Sequence, residues 1–557
     1  MRNKNKFIEM IKIFASKIII CGVLSVLFFS CAQIGTPNGG IYDRIPPKAK
    51  SSKPPHNSTN FKEKSFEIVF DEYISTENTS EEIIISPPLK NKPVVKAHLK
   101  TLKVSWTDTL AENTTYIFDF GSSIIDYTEG NRLNNFVYSF STGNVIDTFE
   151  YKGKVLEAYS LKPVAKKYVM LYKSEEKDIA KKEKPSYITR TDSSGNFTFH
   201  NIAQGNYQIL VLDDKNQNLL YDLADEAIAF SNERIEAALY TNDTTKKMPV
   251  KTNNILYFYE PRDTSINLSS SKLISPYHIQ LAFSNPTTDS LNFVFNYPKL
   301  IGKTDKNLLL ELNSKKDSID IWSLGQRFDS IKFSVTDIGL KEDVELYHVK
   351  RLKEELKDTF SFVVPKQNLP YFSECLLEMP FPINNDTLSF DAIKINGKDT
   401  TIIKCKPSST SPLYINVGNK FEQGTKQQIK IREGLIKNKL GQVNDSISFY
   451  LTVDNEIDYG NFFFSIDDSI SQNDYILVLE DIQGKEIMTS YAKNKERIYF
   501  LNLKEGGYKL KIIVDSNNNK KWDYGNYKLN ILPEKVFYYQ KPINIRKNWD
   551  VEEVFIP

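Results

Sequence analysis

The sequence predicts an all-β protein made of tandem antiparallel β-sandwich modules. Apolar and polar residues alternate along many short runs, for example at 65–70, 101–106 and 115–120. Asn, Asp, Gly, Ser and Pro interrupt these runs about every 8–12 residues, which is typical of antiparallel sandwiches. Tyr (30) and Phe (34) are abundant and Met (6) is scarce. The best helical candidate is one charged stretch at 343–357, for which a strand followed by a charged turn is the alternative.

Residues 1–31 have the pattern of a cleaved export signal. Five basic residues precede an apolar run at 18–29, which is followed by Ser30 and Cys31. The run is shorter than the ~20 residues that cross a bilayer as a helix, and its flanks are those of a signal-peptide core. An ordinary secretory signal with an incidental cysteine is the alternative.

The pair Ser30-Cys31 resembles the lipobox of bacterial lipoproteins, with Phe28 where Leu is usual. The resemblance implies that Cys31 is lipidated with acyl chains such as palmitate. Two or more chains on one cysteine are enough for stable anchoring without a transmembrane helix. We therefore expect an outer-membrane lipoprotein of the Gram-negative envelope, facing the periplasm or the cell surface.

Charge and length limit the function further. The chain has 72 basic and 70 acidic residues, so we expect neither nucleic acid nor an anionic membrane surface as a partner. A hydrophobic content of 40% argues against global disorder. The length beyond Cys31 predicts several domains of ordinary size.

The first predicted module spans 45–144 and follows a small, polar tether at 32–44. Five features occur in order along this module. They are an Asp-x-x-Pro-Pro start at 43–47, a strand at 68–74, the run Leu-Ala-Glu-Asn-Thr-Thr-Tyr at 110–116, a turn at 126–131 and a final Phe-Ser-Thr-Gly. These features resemble the bacterial Ig-like domain of surface-layer (SbsA-type) proteins. The resemblance implies a sandwich of about seven strands and no particular activity.

The second predicted module spans 150–250. It contains a Ser-Gly-Asn turn at 194–196, then a Phe-x-Phe strand and a Gly-x-Tyr strand at 205–207. This pattern is similar to that of carboxypeptidase-regulatory or transthyretin-like modules. Residues 197–235 align without a gap with 498–536, and nine positions are identical, the last being Glu233 and Glu534. The last module, 456–557, is therefore predicted to repeat the second.

Two further sandwiches are expected between the two copies of the repeat, at 255–345 and 346–455. The turn at 440–445 and the strand after it parallel the end of the first module, so the later sandwich is interpreted as a second Ig-like copy. The C-terminal pattern also resembles the ends of long Ig-like-domain lipoproteins of Gram-negative bacteria.

Cys375 and Cys405 are the cysteines left once the leader is removed and Cys31 is lipidated. An even number in an oxidising compartment favours a disulfide. Closing a loop of that length would stabilise the fold by ~3.7 kcal/mol on the chain-entropy model. Two buried free thiols, too far apart to bridge, are the alternative.

A repeated loop is the strongest candidate site. Oxygen-bearing side chains recur at positions 1, 3, 5 and 9, a spacing that Ca²⁺ loops use, and a further carboxylate falls at position 12 of the first copy. The candidate ligands are Asp214, Asn216, Asn218, Asp222 and Asp225, then Asp515, Asn517, Asn519 and Asp523. An Asx-rich turn is the competing interpretation, because Asn and Asp bond their own backbone and tolerate left-handed conformations.

Catalytic motifs are absent from the sequence, and its five histidines are scattered singly. We therefore predict a non-enzymatic scaffold of Ig-like modules that interacts with a protein or glycan ligand. The alternative is a glycan-binding subunit of a surface uptake system. An exposed cluster of Trp or Tyr would favour glycan binding, whereas buried Trp106, Trp322, Trp522 and Trp549 would favour the scaffold.

Overall fold

The computed structural model describes most of the chain beyond the tether. The described residues are 10, 12–17, 42–237, 255–261, 266–275, 277–286, 292–294, 308–313, 315–324, 331–336, 347–349, 368–383, 389–418, 421–467, 473–493 and 495–555. Cys31 and most of the predicted signal peptide lie outside them. Within the described part, no helix has the length and apolar character to cross a membrane.

Strands dominate the described residues, and the prediction of an all-β chain of tandem modules is confirmed. Beyond residues 12–17, the described helices are Thr79–Glu82, Ile179–Lys182 and a single 3-10 turn, Glu456–Asp458. In the stretch 343–357 the described residues Tyr347–Val349 form a strand, which agrees with the strand alternative and not with the helix.

The first module packs one aromatic core between short sheets. Its sheets are β1-β2-β6-β5, β10-β7-β4 and β3-β8-β9. Phe66 stacks on Tyr138 at 4.1 Å between ring centroids, and Trp106 lies parallel to Phe140 at 5.9 Å. The strands are β1 (Ala49–Lys53), β2 (Ser65–Phe70), β3 (Ile74–Thr76), β4 (Ile84–Ser86), β5 (Val94–His98), β6 (Thr101–Ser105), β7 (Thr115–Asp119), β8 (Ile124–Asp126), β9 (Arg132–Leu133) and β10 (Val137–Ser141).

The second module consists of two sheets, β14-β11-β18 and β13-β12-β15-β16, with β17 also paired to β15. Its strands are β11 (Phe149–Glu157), β12 (Tyr168–Tyr172), β13 (Tyr187–Arg190), β14 (Asn196–Ile202), β15 (Gly205–Leu212), β16 (Ile228–Phe230), β17 (Ile235–Ala237) and β18 (Ile255–Phe258). Because β18 pairs in parallel with β11, the residues 255–258 belong to this module rather than to the third.

The third module has the sheets β19-β20-β23-β22 and β21-β24-β25. Since β25 pairs with β24, this module extends past the boundary predicted at 345. Its strands are β19 (Leu268–Ser275), β20 (His278–Phe283), β21 (Asn292–Val294), β22 (Leu308–Leu312), β23 (Ser318–Ser323), β24 (Ile331–Thr336) and β25 (Tyr347–Val349).

The fourth module is one continuous seven-stranded path, β26-β32-β31-β28-β29-β30-β27, instead of the separate sheets of the first module. Side chains from six of its strands share one apolar core. Its strands are β26 (Asn368–Leu369), β27 (Leu376–Glu378), β28 (Phe390–Asn396), β29 (Asp399–Pro407), β30 (Tyr414–Asn416), β31 (Lys426–Ile431) and β32 (Ile447–Val453).

The fifth module has the same topology as the second. Its sheets are β36-β33-β40 and β35-β34-β37-β38, with β39 paired to β37. In both modules the first strand pairs in parallel with the last. The strands are β33 (Tyr459–Ile466), β34 (Asp474–Asp481), β35 (Glu486–Ala492), β36 (Arg497–Lys504), β37 (Gly506–Asp515), β38 (Val536–Tyr538), β39 (Ile543–Ile545) and β40 (Asp550–Phe555).

Candidate functional site

The first Asx loop, residues 214–226, follows β15 and is held by its own side chains. Asp214 accepts hydrogen bonds from the backbone N–H groups of Asn218 (3.2 Å) and Leu219 (2.8 Å). The side-chain amides of Asn216 and Asn218 donate to Asp222 at 3.0 and 2.6 Å. Leu219 has a φ of 63°, a left-handed conformation that these Asx contacts support.

The second Asx loop, residues 515–534, repeats these contacts one by one. Asp515 accepts the N–H groups of Asn519 (3.1 Å) and Lys520 (2.9 Å). The amides of Asn517 and Asn519 donate to Asp523 at 2.5 and 2.8 Å. The sequence repeat up to position 523 is therefore a repeat of specific hydrogen bonds.

A buried glutamate closes each loop, and the sequence alignment missed it. Glu226 is 0% exposed, and its carboxylate accepts three backbone N–H groups, each at 3.1 Å, from Lys215, Asp222 and Leu223. Glu534 accepts the corresponding N–H groups of Ser516 (2.8 Å) and Asp523 (3.1 Å).

Glu534 is thus the counterpart of Glu226, and its ungapped pairing with Glu233 is wrong. The second loop carries an insertion between Asp523 and Glu534, which shifts the alignment of everything after it. Allowing a gap in that loop would have found the match.

The residues predicted to bind calcium form a closed hydrogen-bonding turn. Asn216 and Asn218 direct their NH₂ groups, not their oxygens, at Asp222. Asp225, expected at position 12, is exposed and pairs with Lys215 at 2.6 Å instead of turning towards the loop amides. Within the described residues, no group of three or more His, Cys, Asp or Glu is arranged to hold a metal. In this structure the side-chain oxygens of both loops act as acceptors of an Asx turn.

The aromatic residues of the two loops meet between the second and fifth modules, at what we call the repeat interface. Tyr527 makes edge-to-face contacts with Tyr221 and Phe230, at 5.6 and 5.3 Å between centroids. At Gly525 an added Cβ would lie 2.5 Å from the Tyr259 ring, so the inserted segment lies directly against the second module. The cluster also takes in Leu219, Trp522 and Tyr524.

The second module contributes to the same interface from the other side. Tyr159 and Leu161 cover an apolar face of the fifth module. The Tyr159 hydroxyl donates to Glu486 at 2.7 Å, and the Lys511 ammonium lies 3.9 Å from the Tyr159 ring centroid. Lys511 forms an ion pair with Glu480, and both are about 4% exposed. Burial, followed by the nearby Glu486 carboxylate, raises the pKa of Tyr159 and keeps its hydroxyl protonated as a donor.

The predicted disulfide is not formed, since Cys375 and Cys405 are free, buried thiols. Cys375 immediately precedes β27, Cys405 lies in β29, and β30 separates the two strands. Leu376 and Lys406 both face Asn416 in register, which places the cysteines on opposite sides of Val417. Two strand spacings amount to ~10 Å, whereas a disulfide requires Cα atoms within ~7 Å.

The histidines are not assembled into a catalytic group in the described part of the chain. His200 contacts Glu150 at 3.1 Å on an exposed surface, and His278 contacts Asp320 at 2.7 Å while stacking on Trp322. His348 lies in β25.

The tryptophans divide between cores, the interface and the surface. Trp106 and Trp322 are each 5% exposed in their modules. Trp522 packs in the repeat interface, and its indole N–H donates to the Glu534 carbonyl at 3.0 Å. Trp549 is 57% exposed.

Several solved structures are similar to parts of this chain. The TIE protein of Bacillus anthracis aligns over 93% of this chain and 76% of its own at 10% identity and a TM-score of 0.14. The major pilin subunit of Bacillus cereus aligns over 73% and 99% at 10% identity (TM-score 0.14), and the S-layer protein SbsC over 89% and 67% at 11% (TM-score 0.14).

Sequence comparison gives a match for the first module. No curated protein matches the sequence of this chain, and no catalytic family is indicated. Residues 43–142, which cover nearly all of the first module, match the family model described as a bacterial Ig-like domain.

Proposed function

We propose that this protein is a non-enzymatic lipoprotein of the Gram-negative envelope, anchored through acylated Cys31, whose modules form a rigid scaffold. The signal-like residues 1–31 support the anchor. The tether's end is bonded to the first module: the Tyr42 hydroxyl donates to the Glu129 carbonyl at 2.7 Å, and Asn131 donates to the Asp43 carbonyl at 2.9 Å. The first module would therefore stand close to the membrane.

The repeat interface is the observation that carries the scaffold proposal. It joins modules about three hundred residues apart in sequence through buried rings and a buried ion pair. Aromatic pairs of this kind contribute about 0.5–1.5 kcal/mol each beyond their burial. A chain closed in this way presents its surfaces in a fixed arrangement, which is what a scaffold requires.

Metabolic labelling with palmitate, followed by membrane fractionation, tests the anchor. The wild-type protein should incorporate the label and fractionate with membranes. Cys31→Ala should lose the label and stay unprocessed or become soluble. Cys21→Ala is the matched control, because that cysteine lies inside the leader and its loss should change neither result. A processed Cys31→Ala protein that still fractionates with membranes would reject the lipoprotein proposal.

Protease treatment of intact cells determines which side the protein faces. Digestion without permeabilisation would place the modules on the cell surface, whereas protection until the outer membrane is opened would place them in the periplasm. The residues after Cys31, Ala32-Gln33-Ile34, lack the acidic run that often accompanies surface export, which is compatible with a periplasmic orientation.

Glycan binding is the second candidate, and the exposed Trp549 favours it. Its ring is overlain by the Arg546 guanidinium at 5.2 Å, and Tyr499 of the same module is 55% exposed. Exposed aromatic rings bury apolar sugar faces, while arginine can bond hydroxyls. In affinity electrophoresis through polysaccharide gels, retardation that Trp549→Ala abolishes would support this candidate, and unretarded migration would reject it for the glycans tested.

A further inference from the structure

A cavity of about 230 Å³ lies between the first and second modules. Its floor is made where β4 approaches β13, and the Ile188 N–H donates to the Ser86 hydroxyl at 3.0 Å across this contact. The Lys92 ammonium spans the mouth and donates to Gln217 of the first Asx loop at 3.3 Å. The cavity is therefore formed by two modules that direct hydrogen bonds hold together.

Apolar side chains make up about half of the cavity surface. They include Ile83, Ile85, Leu89, Val95 and Leu219. Ile85 is 9% exposed and the other four are half-buried. An enclosed cavity of ~150 Å³ lined by Leu, Ile and Phe accommodates benzene, and by volume this half-open cavity has room for a ligand of about six to eight carbons. Covering these side chains would remove apolar surface from water, which favours an apolar ligand body.

The charged residues that line the cavity are all lysines. Lys90, Lys92 and Lys184 line it, and no Asp or Glu is among its lining residues. The carboxylate of Asp108, close to Lys90, is occupied by the backbone and side-chain N–H groups of Asn91 at 2.9 and 2.6 Å. Ammonium groups at the mouth of an apolar cavity complement a ligand with one anionic end.

We propose that this cavity binds a small amphipathic carboxylate, with its alkyl chain against Leu89, Val95 and Leu219 and its carboxylate among the three lysines. The chain length follows from the volume, and the charge follows from the lysines. This site is separate from the lipid anchor, and it borders the repeat interface, with which it shares Leu219.

Equilibrium binding to the full chain in lipid nanodiscs tests this proposal, with protein-free discs as the partition blank. Octanoate should saturate one site per chain, and octanol and octylamine should bind more weakly than octanoate. Acetate, which lacks the alkyl chain, should not compete. Leu89→Trp, which fills the cavity, should abolish saturable octanoate binding.

The role of the lysines is tested by the ratio of the octanol Kd to the octanoate Kd. A general loss of folding weakens the binding of both ligands, so it does not by itself reverse this ratio. Lys92→Met keeps the alkyl stem and should reduce the preference about threefold to fivefold. Lys103→Met is the matched control, because Lys103 is an exposed lysine of the same module that pairs with Glu67 at 2.9 Å and lies outside the cavity. Equal binding of octanoate and octanol would overturn the proposal, as would saturable octanoate binding that Leu89→Trp leaves unchanged.

Discussion

A single buried carboxylate organises each of the two Asx loops. Glu226 is fully buried, and a buried charge is tolerated only when hydrogen bonds replace its hydration. Three backbone N–H groups of the loop donate to the Glu226 carboxylate and so replace its hydration. The carboxylate in turn gives these N–H groups an acceptor, which a loop outside the β-sheets does not obtain from a neighbouring strand. The sequence shows a glutamate near each loop, but an ungapped alignment selects Glu233, because chain spacing alone does not identify which side chain turns inward.

We expect Glu226→Ala to destabilise the second module by about 2–4 kcal/mol, since three N–H groups lose their charged acceptor. Hydrogen exchange of the β15 and β16 amides in the full chain measures this locally. Glu233→Ala is the control: its side chain is exposed, and exchange should be unchanged. Equal effects of the two substitutions would contradict the role given to Glu226.

Cys375 and Cys405 should be two free thiols that react slowly in the native protein. Burial raises the pKa of both to about 12, and the thiolate is the reactive form. Alkylation of the native protein should therefore be slow until denaturant is added, and should then modify both residues. A disulfide-linked peptide pair in non-reducing mass mapping would contradict the strand order of the fourth module.

At the scale of elements, the alternation of residues predicted the strands well. The period of two specifies which face of a strand is buried, as in β2 and β32, where buried and less buried positions alternate. The cysteine prediction failed because residue spacing does not show that β30 runs between β27 and β29. Oxygen-rich loops are equally ambiguous from sequence, since the same Asp and Asn residues can bond the backbone or a cation.

Calcium should leave the melting curve of the protein unchanged. The carboxylate oxygens of Asp214 and Asp222 already accept hydrogen bonds within the loop, so a cation would have to displace them. Asp214→Ala should lower the melting temperature equally in millimolar calcium and in chelator, because it removes the turn. A rise in melting temperature with calcium that Asp214→Ala abolishes would restore the metal interpretation. Such a rise would be easy to measure, because a cation at a hundred times its Kd stabilises the folded state by ~2.7 kcal/mol.

For the whole molecule, the sequence order suggested a linear string of modules, and the structure differs. Residues 524–533, the insertion in the second Asx loop, bring the fifth module onto the second. Local periodicity contains no information about contacts between modules so far apart in sequence. The insertion itself was a visible signal: its Tyr524, Tyr527 and Leu529 make it more apolar than the three residues it replaces in the first copy.

The repeat interface should open when Gly525 gains a side chain. Gly525→Leu would place a Cβ within 2.5 Å of the Tyr259 ring, and Tyr259 is 2% exposed and cannot yield. The cores of both modules are untouched, so each should stay folded while the pair separates. Small-angle X-ray scattering should then report a larger radius of gyration.

Leu529→Ala is the control for this change. Leu529 lies in the same inserted segment and is 63% exposed, so its truncation should leave the scattering profile of the wild type. Tyr159 provides an independent readout from the other side of the interface. Separation exposes its hydroxyl, which loses Glu486 as acceptor, so the raised pKa of Tyr159 should fall towards its ordinary value in Gly525→Leu. If both the radius of gyration and the Tyr159 titration stayed unchanged, the interface would tolerate a side chain at position 525. The close fit of the inserted segment would then not be what holds the second and fifth modules together.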